Sequence, residues 1–359
     1  MSREPLAERL AAEIRSRGPI SASTFIAAAL YDPDEGFYTR DESTGRAGRR
    51  GDFLTAPEVG PLFGAVIANA LDAWWTEAGK PDEWVVREIG AGPGTLARAV
   101  LAADPLCHRG GALRLELVEI SDAQRSMHPT GPVVASISPG PEPDGPCDVI
   151  IANELLDNLP FDIVECSADG WREVLVNFEN GCFVECLGEL LPDVFGIEAE
   201  TADRLPVLRI AGEWIRAQRA VGARLIAFDY AAPTRVLSKR GTGWLRTFRG
   251  HGAGSNWLDE PGSQDITTDL AAEQIVAAAD TPRSTTQAAF LRAYGVDGLV
   301  EEGRVRWKAG AAVGGLAALS GRSRIREAET LLDPTGMGGF TVFEWPPFLS
   351  PGGPWLASR

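Results

Sequence analysis

The segment Glu88-Ile89-Gly90-Ala91-Gly92-Pro93-Gly94-Thr95 constrains the fold more than any other part of this chain. It follows an apolar, β-prone run (Trp84, Val85, Val86) and precedes a helix-like stretch over 96–102. A strand that enters a glycine-rich turn and leaves as a helix lets backbone approach a ligand without Cβ clashes. A second strand-like run, 113–120, carries Glu119 at 25 positions beyond Gly94. An acidic residue there can accept hydrogen bonds from both ribose hydroxyls of a nucleoside cofactor.

The glycine spacing is G-x-G-x-G, one position short of the dinucleotide fingerprint. That fingerprint aims its turn and helix N-terminus at a pyrophosphate. S-adenosylmethionine has no phosphate, and Glu88 just before the turn suits its cationic end. The expected binding set is therefore Glu88, Gly90, Gly92, Gly94, Thr95, Glu119 and Ile120, with Asn153 added from a later strand.

The remaining pattern supports an α/β chain. Leu6, Leu10 and Ile14 form the stripe of a short amphipathic helix. Ser21 to Ser23 can cap a second helix that ends at Asp32-Pro33, and a longer helix is expected over 61–78. Strands at 132–137 and 147–152 extend the βαβ pattern. Asn180-Gly181 between two alternating runs signals a β-hairpin inserted in the core. A helix near 207–220, a buried strand near 225–230, a long loop over 241–265, helices through much of 267–332 and a last strand over 339–345 complete the expectation. The division expected is 1–80 as a helical cap with a cofactor-covering loop, and 81–359 as the core. That core carries the hairpin insertion near 166–190 and helical additions near 265–335.

Among the 359 residues, 34 are basic and 50 acidic, a net charge of −16. That disfavours non-specific attraction to nucleic acid or to anionic membrane, and leaves a basic protein substrate compatible. Five scattered cysteines without a C-x-x-C pair, and three histidines, argue against a disulfide framework or a zinc site. No apolar run has the length of a membrane span. The N-terminus, with Glu4, Glu8 and Glu13 among its arginines, reads as neither a signal nor a transit peptide. These features point to a cytoplasmic protein. Its assembly state is left open, a homodimer included.

Asn153-Glu154-Leu155-Leu156-Asp157-Asn158-Leu159-Pro160 follows the fourth strand. Asn153, Glu154 and Asp157 would share one mouth if a helical turn starts there. Glu154 and Asp157 are the expected catalytic carboxylates, since a guanidinium nucleophile must shed a proton and carboxylates can orient it.

With these residues in hand, the chain closely resembles the MidA-like family of class I S-adenosylmethionine-dependent methyltransferases. The resemblance runs nearly end to end. It is carried above all by Gly51-Asp52-Phe53-Leu54-Thr55-Ala56-Pro57-Glu58 together with the 153–160 segment, and by Asp229-Tyr230, Arg246, His251 and Gln264-Asp265-Ile266-Thr267. It implies a Rossmann-like fold with a mostly parallel central sheet, an N-terminal helical cap, a β-hairpin insertion and helical C-terminal additions. It also implies methylation of a partner protein's arginine, a respiratory-complex subunit among the candidates. Asp52, Phe53, Thr55 and Glu58 would line the cofactor cleft, and Arg246 and His251 would face the substrate. The chain departs from the family at Ala231, around 241–248 and near 339–341. A small-molecule methyltransferase, a nicotinamide-dependent oxidoreductase and a non-catalytic assembly factor are the competing readings.

Overall fold

The computed structural model describes residues 4–40, 55–139, 145–192, 196–250, 252–310 and 315–347. Helix α1 (Leu6–Arg17) buries Leu6, Leu10 and Ile14, as its stripe requires. Helix α2 (Ala22–Tyr31) starts at Ser21, whose hydroxyl accepts the Thr24 N–H, and stops at Asp32 before Pro33. An Arg9–Asp32 ion pair of 2.8 Å pins the two helices together. Helix α3 (Pro61–Glu77) has Pro61 at its first position and is buried along most of its length.

The core alternates from there: β1 (Trp84–Ile89), α4 (Thr95–Ala103), β2 (Leu113–Val118), β3 (Val134–Ile137) and β4 (Val149–Asn153). An insertion follows, comprising β5 (Asp162–Ser167), β6 (Gly170–Glu179), β7 (Cys182–Leu190) and β8 (Arg204–Val207). Asn180 (φ 52°) and Gly181 (φ 86°) make the expected tight turn between β6 and β7. The insertion is larger than a hairpin. It forms a five-stranded antiparallel sheet that also recruits Ile20 and Ser21 along β6.

Helix α5 (Arg209–Ala220) leads into β9 (Arg224–Asp229), whose six residues are all buried. The 241–265 stretch is not one long loop. Strand β10 (Leu245–Arg249) pairs antiparallel with β11 (Asp265–Thr268), joining Leu245 to Thr268 and Phe248 to Asp265. Helices fill much of the 267–332 region, as expected, with short strands among them. It holds β12 (Arg283–Thr286) before α6 (Gln287–Ala293), α7 (Val296–Gly310) and α8 (Leu316–Leu331), and β13 (Thr341–Trp345) closes the fold.

The central seven-stranded sheet has the order β12-β13-β9-β4-β1-β2-β3. The five strands from β9 to β3 are parallel, and β13 runs antiparallel between β9 and β12. Alternate residues feed two cores, one on each face. Ile150, Ala152, Leu225 and Ala227 join the core shared with α1, α2 and the insertion. Val149, Ile151, Ile226 and Phe228 join the core shared with α3, α4 and α6. This is the α/β arrangement expected, and it opens a crevice between the carboxyl ends of β1 and β4, where the strand order reverses.

Candidate active site

A cavity of about 370 Å³ occupies that crevice, within the range of small-molecule sites, about 300–1,000 Å³. Its floor is the glycine turn. Gly90, Gly92 and Gly94 have φ of 72°, 52° and 77°, a left-handed conformation that disfavours any side chain. A Cβ on Gly92 would meet nothing within 4 Å, whereas one on Gly94 would lie 2.8 Å from Pro129 Cδ. Gly92 thus leaves room above the backbone, and Gly94 lets the turn pack on the segment before β3.

Glu119 stands at the end of β2, buried, its Oε2 accepting the Gly92 N–H and its Oε1 the Ser121 N–H, both at 2.9 Å. Each oxygen keeps a further lone pair for a hydroxyl donor. Glu88 also lines the cavity. Burial, and then the neighbouring Glu119 charge, push its carboxyl up to about 8. A cation placed beside it would favour the charged form. Ile120 is on the wall, 40% exposed.

The segment 55–58 reaches this wall from the N-terminal side. Thr55 and Glu58 line the cavity, and the Thr95 hydroxyl donates to Glu58 Oε1 at 2.5 Å. Asp52, Phe53 and His251 lie outside the described residues.

Across the crevice, Asn153 and Glu154 line the cavity. The chain does not start a helical turn here. Glu154 takes a φ of 50°, and a short 3-10 turn follows only over Leu156–Asn158. The strained step turns the Glu154 carboxylate into a ring of donors: Ala56 N–H at 3.0 Å, Asn153 Nδ2 at 3.1 Å and the Tyr230 hydroxyl at 3.3 Å. Burial raises its carboxyl to about 7.

Asp157 does not join Glu154 on the cavity wall, although its charge adds to the rise of the Glu154 carboxyl. Asp157 is 4% exposed, with the Thr267 hydroxyl donating to its Oδ2 at 2.6 Å. Burial pushes its carboxyl to about 6, opposed by the Thr267 bond and the Arg246 charge. Asp229 supports the same turn, its Oδ2 accepting the Leu156 and Asp157 N–H groups at 2.9 and 3.3 Å. Arg246 lies off the cofactor cavity as well. Its guanidinium sits 4.6 Å over the Tyr230 ring and pairs with Asp269 at 2.7 Å.

Sequence reasoning passed over several residues of this site. Tyr31, Tyr38 and Trp214 line the cavity. His128 bridges the site from below, Nε2 at 2.9 Å from the Gly92 carbonyl and Nδ1 at 2.8 Å from the Ser136 hydroxyl. No local spacing marks these four, because each is brought in by tertiary packing.

Residues 66–288, more than half of the chain, match a family model of S-adenosyl-L-methionine-dependent methyltransferases. The chain belongs to that family. Its cofactor is S-adenosylmethionine, and the glycine floor, open space at Gly92 and paired carboxylates fit it. Among solved structures, a Burkholderia thailandensis protein bound to S-adenosyl-homocysteine matches with a TM-score of 0.80 at 27% identity, covering 94% of this chain and 91% of that one. A curated Xenopus tropicalis relative, "Protein arginine methyltransferase NDUFAF7, mitochondrial", is 29% identical, covering 82% of this chain and 76% of its own. The relative of the same name in Mus musculus is 27% identical over 74% of this chain and 67% of its own. These names correct one expectation. The relatives are mitochondrial, so the cytoplasmic assignment, drawn from the scattered cysteines and a missing leader pattern, does not stand. Among the described residues no helix is long and apolar enough to cross a membrane.

Proposed function

We propose that this methyltransferase modifies an arginine side chain of a partner protein. When bound, S-adenosylmethionine supplies an electrophilic methyl carbon and leaves as S-adenosylhomocysteine. Glu88, Gly90, Gly92, Thr95, Glu119 and Ile120 hold the cofactor in this reading, while Gly94, off the cavity wall, shapes the turn. Thr55 and Glu58 cover it, with Asp52 and Phe53 assigned to the same cover.

The observation that carries the acceptor assignment is Glu154, a half-buried carboxylate fixed on the cavity wall beside Asn153. A guanidinium brought there gains a charge-assisted hydrogen bond and gives up one N–H proton as its nitrogen is methylated. Ionised Glu154 takes that proton, and a carboxyl with its pKa near 7 can accept and release protons at neutral pH. Asp157 lies off the cavity wall, bonded to Thr267, in the turn that Asp229 supports. Arg246 and His251 are assigned to the approach of the acceptor. The names of the relatives support arginine, and the acidic net charge suits a basic partner.

The test is transfer from deuterated-methyl S-adenosylmethionine into the proteins of a cell lysate, read by mass spectrometry. Labelled methylarginine that depends on added protein supports the assignment. Label confined to metabolites, or to residues other than arginine, overturns it.

A further inference from the structure

The cavity walls divide according to the strands that carry them. In the order β3-β2-β1-β4-β9, Glu88, Gly92 and Glu119 stand on the β1–β2 side and Asn153 and Glu154 on the β4 side. The same cavity is also lined by Tyr31, Tyr38, Leu159, Pro160 and Trp214. Three aromatic side chains, from α2, the residues after it and α5, are thus gathered on one cavity.

The aromatic rings are held in place. Tyr31 and Tyr38 stack with centroids 5.7 Å apart and planes 22° apart. Both hydroxyls are already engaged by the protein, Tyr31 donating to the Asn158 carbonyl at 3.1 Å and Tyr38 to Asp265 Oδ1 at 2.9 Å. What they offer a ligand is ring surface. Trp214 is half-buried, packs against the core and lines the same cavity as Leu159 and Pro160. The Glu154 carboxylate and Asn153 line the same cavity, and Asn153 Oδ1 is a buried oxygen without a hydrogen-bond partner among the described residues.

Flat aromatic rings and two acceptors on one cavity fit a flat, delocalised and weakly hydrated cation with several N–H donors. A guanidinium meets that description, while an ammonium is compact and strongly hydrated. We propose that Trp214, Tyr31 and Tyr38 form an aromatic slot that selects the guanidinium-bearing side chain of the acceptor and delivers it to Glu154 and Asn153. This rests on the arginine reading above and names the side chains that enforce it.

The probes are N-butylguanidine and its uncharged analogue N-butylurea, titrated into the full-length protein saturated with S-adenosylhomocysteine. N-butylguanidine is expected to bind at least about tenfold more tightly than N-butylurea. Trp214→Leu keeps apolar bulk but removes the ring face, and is expected to weaken N-butylguanidine at least about fivefold. The affinity for S-adenosylhomocysteine should stay within about twofold of wild type. Tyr31→Leu is a second variant with the same expectation. Equal affinity for the two probes, no saturable N-butylguanidine binding, or wild-type affinity in both variants overturns the slot. So does a loss of S-adenosylhomocysteine binding in both variants, which would assign the aromatic wall to the cofactor. If the slot fails while the lysate assay still yields methylarginine, only this inference falls. If the lysate assay yields none, the arginine reading itself falls.

Discussion

The Ala56 N–H donates to Glu154 Oε1 at 3.0 Å, so the segment that covers the cavity is tied to the carboxylate on its far wall. Its other tie is the 2.5 Å bond from the Thr95 hydroxyl to Glu58 Oε1. Residues 55–58 are thereby strapped across the crevice, between the glycine turn and the end of β4.

Glu58→Ala removes one of these ties without emptying the core, since Glu58 is half-buried. A lost hydrogen bond to a charged group is worth about 1.5 kcal/mol, or roughly tenfold in a rate. S-adenosylhomocysteine should dissociate about tenfold faster in stopped-flow measurements, with the melting temperature nearly unchanged. An unaltered dissociation rate would remove the strap from the account.

The turn glycines should separate in their effects. Gly94→Ala forces a Cβ to within 2.8 Å of Pro129 in addition to a left-handed φ, so it should lower the melting temperature markedly. Gly92→Ala meets only the φ penalty, about 1–2 kcal/mol, but places a methyl group in the cavity. It should cost more cofactor affinity than stability. Calorimetry and thermal melts on both variants would refute this if Gly92→Ala proved the less damaging to cofactor binding.

His128 grips the other side of the Gly92 peptide. Burial lowers its pKa and favours the neutral ring, whose Nε2–H must donate to the Gly92 carbonyl because that oxygen only accepts. Ser136 then donates to Nδ1. His128→Ala strands a carbonyl and should cost about 1–3 kcal/mol, more than Ser136→Ala. Denaturant melts should rank the two variants in that order, and the reverse order would displace His128 from this role.

Glu88 gives the fold a pH signature. Its carboxyl is raised from the ordinary 4.5 to about 8 in the native state, so the native protein holds that proton more tightly than the unfolded chain. The associated stability is fully present below about pH 4.5 and is lost as pH rises to about 8. Glu88→Gln cannot ionise, so its advantage over wild type should grow across that window and level off above it. A melting-temperature difference of roughly 5 °C by pH 8 is expected for the ligand-free proteins. A difference independent of pH would show that Glu88 is not held in its neutral form.

Much of this site was legible because its signals are local. The strand, glycine turn and acidic residue at Glu119 follow each other in sequence, and the cap at Ser21 lies beside the helix it starts. Tyr31, Tyr38, Trp214 and His128 were not legible, since only tertiary packing brings them to the cavity. Pairing of β10 with β11 joins short strands across an intervening loop, and no period announces it. The placement of Asp157 off the wall that carries Glu154 was hidden for a different reason. The positive φ at Glu154 is imposed by its surroundings, among them the Ala56, Asn153 and Tyr230 donors, and replaces the helical turn that spacing suggests.

The central claim is that Glu154 serves arginine methylation directly. Glu154→Gln keeps the shape of the side chain and abolishes its charge. The decisive measurement is the rate of methylarginine formation in lysate by wild type and Glu154→Gln, alongside the S-adenosylhomocysteine affinity of each. The account predicts a loss of about 100-fold or more in rate, within the range for a positioned acid–base group, with cofactor affinity changed by less than about threefold. Equal rates of methylarginine formation by the two proteins would contradict it.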